Sequence, residues 1–207
     1  LNVCCGQYGY CGVTTEFCEP GCQSNCQQPA STGLSSGSVQ NIVIGYFESW
    51  NLITPTCANV DLSFIRTDSL THLNVAFGYI QPDTYTIYPI PGTGIEQFQQ
   101  LTNLKQSAPG LQIWLSLGGW TYSDNGTDTQ PVFGDLASSV EKRRSFIESL
   151  VSFMTEWGFD GVDIDWEYPG APDRNGKPED TANCKHFQKL SLYSPAYLTS
   201  LIDLLRN

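Results

Sequence analysis

The stretch Phe159-Asp160-Gly161-Val162-Asp163-Ile164-Asp165-Trp166-Glu167-Tyr168-Pro169 sets four acidic residues within eight positions. Apolar residues alternate with the last three of them. As a β-strand, the period of two puts Asp163, Asp165 and Glu167 on one face and Val162, Ile164 and Trp166 on the other. Neighbours on one face of a strand stand roughly 6.5–7 Å apart. Carboxylates in such a row repel one another and resist desolvation, so an ordinary core strand would not carry them. Repulsion of this kind raises the pKa of at least one member, which suits proton transfer near neutrality. A solvated acidic edge would not need Val, Ile and Trp on its reverse face. A calcium loop would place its acids around a turn with a central Gly, not between β-branched residues. The spacing therefore predicts a catalytic strand. Asp160 has the opposite parity and reads as structural support.

Outward from this strand the chain alternates strand and helix, the pattern of parallel α/β architecture. Residues 42–47, 72–77 and 112–117 read as buried-type strands, and residues 162–166 as the fourth. Helical apolar spacing runs over 94–107 and over 133–157, where Phe146, Leu150, Phe153 and Trp157 recur at intervals of three or four. Residues 170–180 read as a loop rich in Pro, Gly and Asp, and the tail beyond is broken by Pro195. His72, among apolar neighbours, reads as a core residue.

The acidic stretch resembles the DxxDxDxE signature of the family 18 glycoside hydrolases, with Asp160, Asp163, Asp165 and Glu167 at its four acidic positions. A second hallmark, the SxGG strand end, is matched by Ser116-Leu117-Gly118-Gly119, followed by Trp120. The local wording is most similar to fungal chitinases. The resemblance implies a (β/α)8 barrel, whose sites lie at the C-terminal ends of its strands. Such a barrel takes eight strands and about 250 residues. Residues 41–207 supply four strands, and the Tyr-Asp pair and the final-strand Trp of the family are not found in them. The expectation is thus the first half of a barrel, a fragment with little activity alone.

The resemblance also implies chemistry. Glu167, at the strand end, is expected to be the general acid; to work near neutrality its ordinary pKa of about 4.3 would need raising by about two units, with Asp165 the natural source of the repulsion. In this family the N-acetyl carbonyl of the sugar is itself the nucleophile, an exception to the usual carboxylate pair. Asp165 then orients the acetamido group, Asp163 shares a proton with Asp165, and Ser116 supports Asp163, while Gly118 and Gly119 shape the strand end. Tyr46, Phe47, Trp120 and Tyr168 are candidates for packing against sugar faces. No cofactor or metal is expected. The resemblance leaves open an endo-β-N-acetylglucosaminidase, which shares the acidic motif, and a non-catalytic chitin-binding lectin. Lectin-like members typically lack the terminal Glu, which is present here.

Six of the eight cysteines lie within residues 1–26. So short a segment cannot bury a sufficient core and needs covalent staples. Zinc is disfavoured by the lack of a CxxC pair and of a nearby His. The order CC-x5-C-x6-C-x3-C-x3-C resembles the hevein-like chitin-binding module, in a copy that starts late. By that resemblance Cys4 pairs with Cys18 and Cys22 with Cys26. Cys5 and Cys11 lack their usual upstream partners, which points to an N-terminally truncated chain or to pairing with each other. Tyr8, Tyr10 and Phe17 match the module's sugar-stacking aromatics, and Gly6 replaces a Ser whose hydroxyl would contact the acetyl group. Residues 27–40 read as a flexible linker spanning about 20 Å. Such a leash holds a catalytic domain near an insoluble surface.

A net charge of −11 argues against nucleic acid, whose phosphates would be repelled. A neutral polysaccharide is indifferent to that charge. No apolar run reaches the 18 residues of a membrane helix. The cysteine load points to a secreted, extracellular protein. The expected partners are chitin or N-acetylglucosamine oligomers, with no membrane, and a monomer when full-length. Asn125-Gly126-Thr127 fits a glycosylation sequon. Cys57 and Cys184 are left unassigned.

Overall fold

The computed structural model describes residues 4–7, 11–12, 18–23, 26, 42–52 and 62–188. The chain divides into two compact units, Leu1–Asn41 and Ile42–Asn207. In the first, β1 (Cys4–Cys5) and β2 (Cys11–Gly12) pair antiparallel, Cys5 opposite Cys11 in backbone register. Disulfides join Cys4 to Cys18 and Cys22 to Cys26, with Cα separations of 5.1 and 5.8 Å. The side-chain amide of Gln23 donates to the carbonyls of Gly6 and Gln7. Covalent and polar ties thus stand in for the core that so short a segment cannot form. The predicted linker 27–40 and the rings of Tyr8, Tyr10 and Phe17 lie outside the described residues, as do the side chains of Cys5 and Cys11.

The second unit is built on β3 (Ile44–Glu48), β4 (His72–Ile80), β6 (Gln112–Gly118) and β7 (Gly161–Asp165), hydrogen-bonded in that order and all parallel. A short β5 (Ile87–Pro89) returns antiparallel along the end of β4. Consecutive parallel neighbours joined through helices are the wall of a (β/α)8 barrel, of which these are four strands. Sequence periodicity missed β5, because three residues ending in Pro give no strand pattern.

Alternation sorts the side chains of this wall. Phe47, Leu73, Val75, Ile113, Leu115, Leu117 and Val162 belong to one buried apolar cluster, against which Ile164 and Trp166 pack. Helices α1 (Ile95–Thr102) and α3 (Val140–Trp157) contribute Phe98, Leu101, Phe146, Ile147, Leu150 and Met154 to the same cluster. Tyr46, Asn74, Ser116 and Asp163 have the opposite parity. Phe47, a candidate for the cleft, is instead core and only 7% exposed.

The single helix expected over 133–157 is two: α2 (Val132–Ser138) and α3. Ser139 adopts extended backbone between them, and its hydroxyl accepts the N–H of Lys142 at 3.3 Å, an N-cap that starts α3. Gly158 closes α3 at φ 77°, a left-handed conformation that a side chain would strain. Replacing Ser139 by Ala is expected to cost about 0.5–2 kcal/mol, read by denaturant unfolding, whereas Asp should preserve most of the cap. Loss of nothing measurable in the Ala variant would refute the cap.

Beyond β7, residues 170–180 contain a single turn of 3-10 helix, Pro172–Arg174, and then come two short helices, α4 (Asp180–Asn183) and α5 (Lys185–Gln188). Cys184 carries a free thiol. Cys57 and the tail after residue 188, with Pro195, lie outside the described residues. Among the described residues, no helix is long and apolar enough to cross a membrane.

Candidate active site

Strand register brings the site together. Tyr46 on β3 pairs with Asn74 on β4, and Ser116 on β6 pairs with Asp163 on β7. One oxygen of Asp163, Oδ2, accepts three hydrogen bonds: from the Tyr46 hydroxyl at 2.8 Å, the Ser116 hydroxyl at 2.8 Å and the Asn74 amide at 3.1 Å. All four parallel strands therefore meet at one carboxylate. Burial, and then the hydrogen bond and charge of Asp163, push the Tyr46 hydroxyl up to about 12. Tyr46 thus stays a proton donor throughout the physiological range. Sequence reading missed Asn74. Its signal is a carboxamide of even parity inside an otherwise apolar strand, His72-Leu73-Asn74-Val75-Ala76.

Asp165 is the next residue on that face. Burial pushes its carboxyl up to about 6, and the negative charges of Asp163 and Glu167 push the same way. The carboxyl with the clearest cause for keeping a proton is thus the middle member of the row. A group poised near 6 exchanges protons readily at working pH.

Glu167 lies just past the end of β7. Its backbone N–H donates to the Ser123 hydroxyl at 3.3 Å, and its carbonyl accepts from Arg174 Nε at 3.1 Å. The peptide bonds Glu167–Tyr168 and Ala76–Phe77 are cis. Tyr168 and Trp120, just past the ends of β7 and β6, are 55% and 56% exposed, large rings left in solvent.

Gly118 and Gly119, at φ 108° and 87°, turn the chain out of β6. A Cβ on Gly118 would meet the Asp165 carbonyl at 2.5 Å, and one on Gly119 would meet the Phe77 ring at 2.8 Å. The Gly119 N–H donates to the Asp165 carbonyl at 2.9 Å, which ties the two strand ends together. Only glycine permits this approach.

Asp160 sits at the opposite end of β7. One of its oxygens accepts Lys105 Nζ at 2.8 Å and the other accepts the Ile113 N–H at 2.8 Å. It pins the start of β7 to β6 and lies away from the carboxyl row. Lys105 also donates to the Gly158 carbonyl at 2.6 Å. His72, partly buried, lies against Trp114 in an edge-to-face contact and within 2.8 Å of the Thr71 hydroxyl. Among the described residues, no group of three or more His, Cys, Asp or Glu is placed to hold a metal ion.

A carboxyl row at the C-terminal end of one parallel barrel strand, held by side chains of its neighbours, defines the class, a barrel of the glycoside-hydrolase kind. The chain belongs to the glycosyl hydrolases family 18, whose profile matches residues 42–199. The profile of the chitin recognition proteins matches residues 1–26. A secreted chitinase of Penicillium expansum is 31% identical over 192 residues, covering 86% of this chain and 12% of that protein. An endochitinase of Manduca sexta is 30% identical over 153 residues, covering 72% of this chain and 26% of that protein. Catalytic domain 2 of the Ostrinia furnacalis group II chitinase superimposes with a TM-score of 0.60 at 26% identity, over 70% of this chain and 38% of that one. A mutant of the same domain is known in complex with penta-N-acetylchitooctaose. The chain thus spans about a quarter or less of these curated relatives and under half of the solved domain.

Proposed function

We propose that the chain is the catalytic and chitin-binding part of a secreted chitinase. The reaction is hydrolysis of β-1,4 links between N-acetylglucosamine units with retention of configuration. The observation that carries this reading is the convergence of Tyr46, Asn74 and Ser116 on Asp163, directly beside an Asp165 that holds its proton to about pH 6. Family membership supports the same reading, as do the names of the relatives.

In this reading Glu167 protonates the glycosidic oxygen. The sugar's own acetamido carbonyl attacks the anomeric carbon, and a water then opens the resulting oxazolinium ion. Asp165 orients the acetamido group and stabilises the charge that develops there. Asp163, held by three donors from three other strands, fixes the position against which Asp165 works. Trp120, Tyr168 and Tyr46 offer ring surface to the sugar faces.

Residues 1–26 act as the binding module, with Tyr8, Tyr10 and Phe17 as its stacking platform, leashed through 27–40 to the barrel unit. Replacing Tyr10 by Ala is expected to weaken retention on chitin by about 1–3 kcal/mol, as for other ring-stacking contacts. A pull-down of the oxidised protein on chitin checks this, and equal retention of a Tyr8, Tyr10 and Phe17 triple-alanine variant would sink it. Hydrolysis itself is tested by following N-acetylglucosamine oligomers with the full-length protein. Binding of those oligomers without cleavage would favour a lectin instead.

A further inference from the structure

Arg174 lies in the segment after β7, outside the signature motifs, and it is only 6% exposed. Its guanidinium makes four contacts at once. Nη2 donates to the Trp120 carbonyl at 2.7 Å and Nε donates to the Glu167 carbonyl at 3.1 Å. The guanidinium carbon stands 3.8 Å from the centroid of the Trp120 ring, and Nη1 faces Asp124 Oδ1 at 3.5 Å. Trp120 remains 56% exposed although this cation covers one face of its ring.

The surrounding main chain is held as well. The Arg174 carbonyl accepts from the Gln130 amide at 2.7 Å, and the Asp173 carbonyl accepts from the Asn125 amide at 2.6 Å. Two loops, one following β6 and one following β7, are thus sewn together, and Arg174 is the member that touches both functional ends. A planar fork with several fixed donors can bridge two carbonyls and stack on a ring at the same time. A lysine ammonium, a point charge on a flexible stem, cannot do all three.

We propose that Arg174 is a positioning residue that couples the sugar platform of Trp120 to the acid Glu167, so that a sugar stacked on Trp120 finds the Glu167 carboxyl at a set distance. The assignment of roles to Trp120 and Glu167 rests on the chitinase reading above. The mechanical link between the two loops does not. With Arg174 in place, the Glu167 backbone cannot shift without moving the Trp120 carbonyl. Without it, the Glu167 N–H still reaches the Ser123 hydroxyl and the Asn125 amide still reaches the Asp173 carbonyl, but the direct bridge between the Trp120 and Glu167 carbonyls is lost. A misplacement of about 1 Å costs catalysis on the order of 10²-fold.

The test uses the full-length protein with Arg174→Lys and Arg174→Met. Hydrogen exchange is followed by mass spectrometry, and initial rates are measured on N-acetylglucosamine oligomers of increasing length. Both variants should exchange faster, by about tenfold or more, at residues 119–124 and 167–168 together, with the amides of β6 and β7 unchanged. On the oligomers kcat should fall about 10–100-fold, and lysine should not rescue it. Adding the N-acetylglucosamine tetramer should slow exchange at 167–168 in the wild type and fail to do so in either variant. Faster exchange in only one loop would overturn the link. Faster exchange throughout the strands would reduce Arg174 to general support and overturn it too. A lysine variant with wild-type rates would overturn the positioning role. If the wild type neither binds nor cleaves the oligomers, the chitinase reading fails. The paired exchange of the two loops would still decide whether Arg174 joins them.

Discussion

Glu167→Gln is expected to lower turnover of N-acetylglucosamine oligomers by about 10²–10⁴-fold, the range typical of lost acid catalysis. The amide keeps the shape of the side chain and removes the transferable proton. The backbone contacts of Glu167 with Ser123 and Arg174 involve its N–H and carbonyl, so the substitution leaves them in place. Substrate binding should therefore survive, with the loss concentrated in kcat, and the variant should still be retained on chitin. The wild-type product should keep its anomeric configuration, since attack by the acetamido group and then by water inverts twice. Proton NMR in the first minutes of reaction separates the anomers. Release of the inverted anomer would refute substrate assistance even if Glu167 proved essential.

Asp165→Asn should act in opposite directions on rate and on stability. The rate should fall by about 10²–10³-fold, because a neutral amide supplies no charge to the developing oxazolinium ion. Stability should rise at neutral pH. The Asp165 carboxyl titrates near 6 in the folded protein against an ordinary value of 3.8. Between those values the folded state binds the extra proton, so the wild type loses stability as pH rises through this window. Above about pH 6 the full penalty is present, and below about pH 4 it is absent. A rise of this size would be worth about 3 kcal/mol for a fully enclosed group. The carboxyl is partly open to solvent, and screening reduces the figure to about 1–2 kcal/mol. Tm measured against pH should therefore show the Asn variant more stable than the wild type at pH 7 and level with it near pH 3.5. A constant difference across that range would contradict the assignment of the raised pKa to Asp165. If the stability gain appeared without the loss of rate, Asp165 would carry strain but no catalytic function.

The layout of the barrel wall was legible in the sequence to a useful depth. Parity alone separated Asp163 and Asp165 from Val162 and Ile164, because side-chain direction along a strand repeats every two residues whatever the strand pairs with. The same rule placed Asp160 on the other face, where the structure ties it to Lys105 and to the Ile113 N–H. Periodicity also found the apolar face of 140–157, and it ran through Ser139 because apolar spacing continues across the break. Ser139 breaks that continuity by adopting extended backbone, and its hydroxyl accepts the Lys142 N–H that would otherwise lack a helical partner.

What the sequence by itself determined is local: four strands, the faces of their side chains, the acidic row, the turn glycines of the SxGG strand end and a cysteine pattern fit for staples. Only the tertiary structure decided which of these residues meet. Tyr46 and Asn74 reach Asp163 across sequence separations of 117 and 89, and their meeting depends on the register of three successive strand pairings. Arg174 shows no signal at all in the sequence, since nothing in a loop rich in Pro and Gly says that one cation will lie under Trp120 and against the Glu167 carbonyl. The rise of the Asp165 carboxyl to about 6 is likewise tertiary, because burial is its first cause and burial comes from the packing of neighbouring strands and loops. Side-chain direction is set within a residue or two along the chain. Proximity between strands is set by the packing of the whole wall, and the chemistry of the site depends on that proximity.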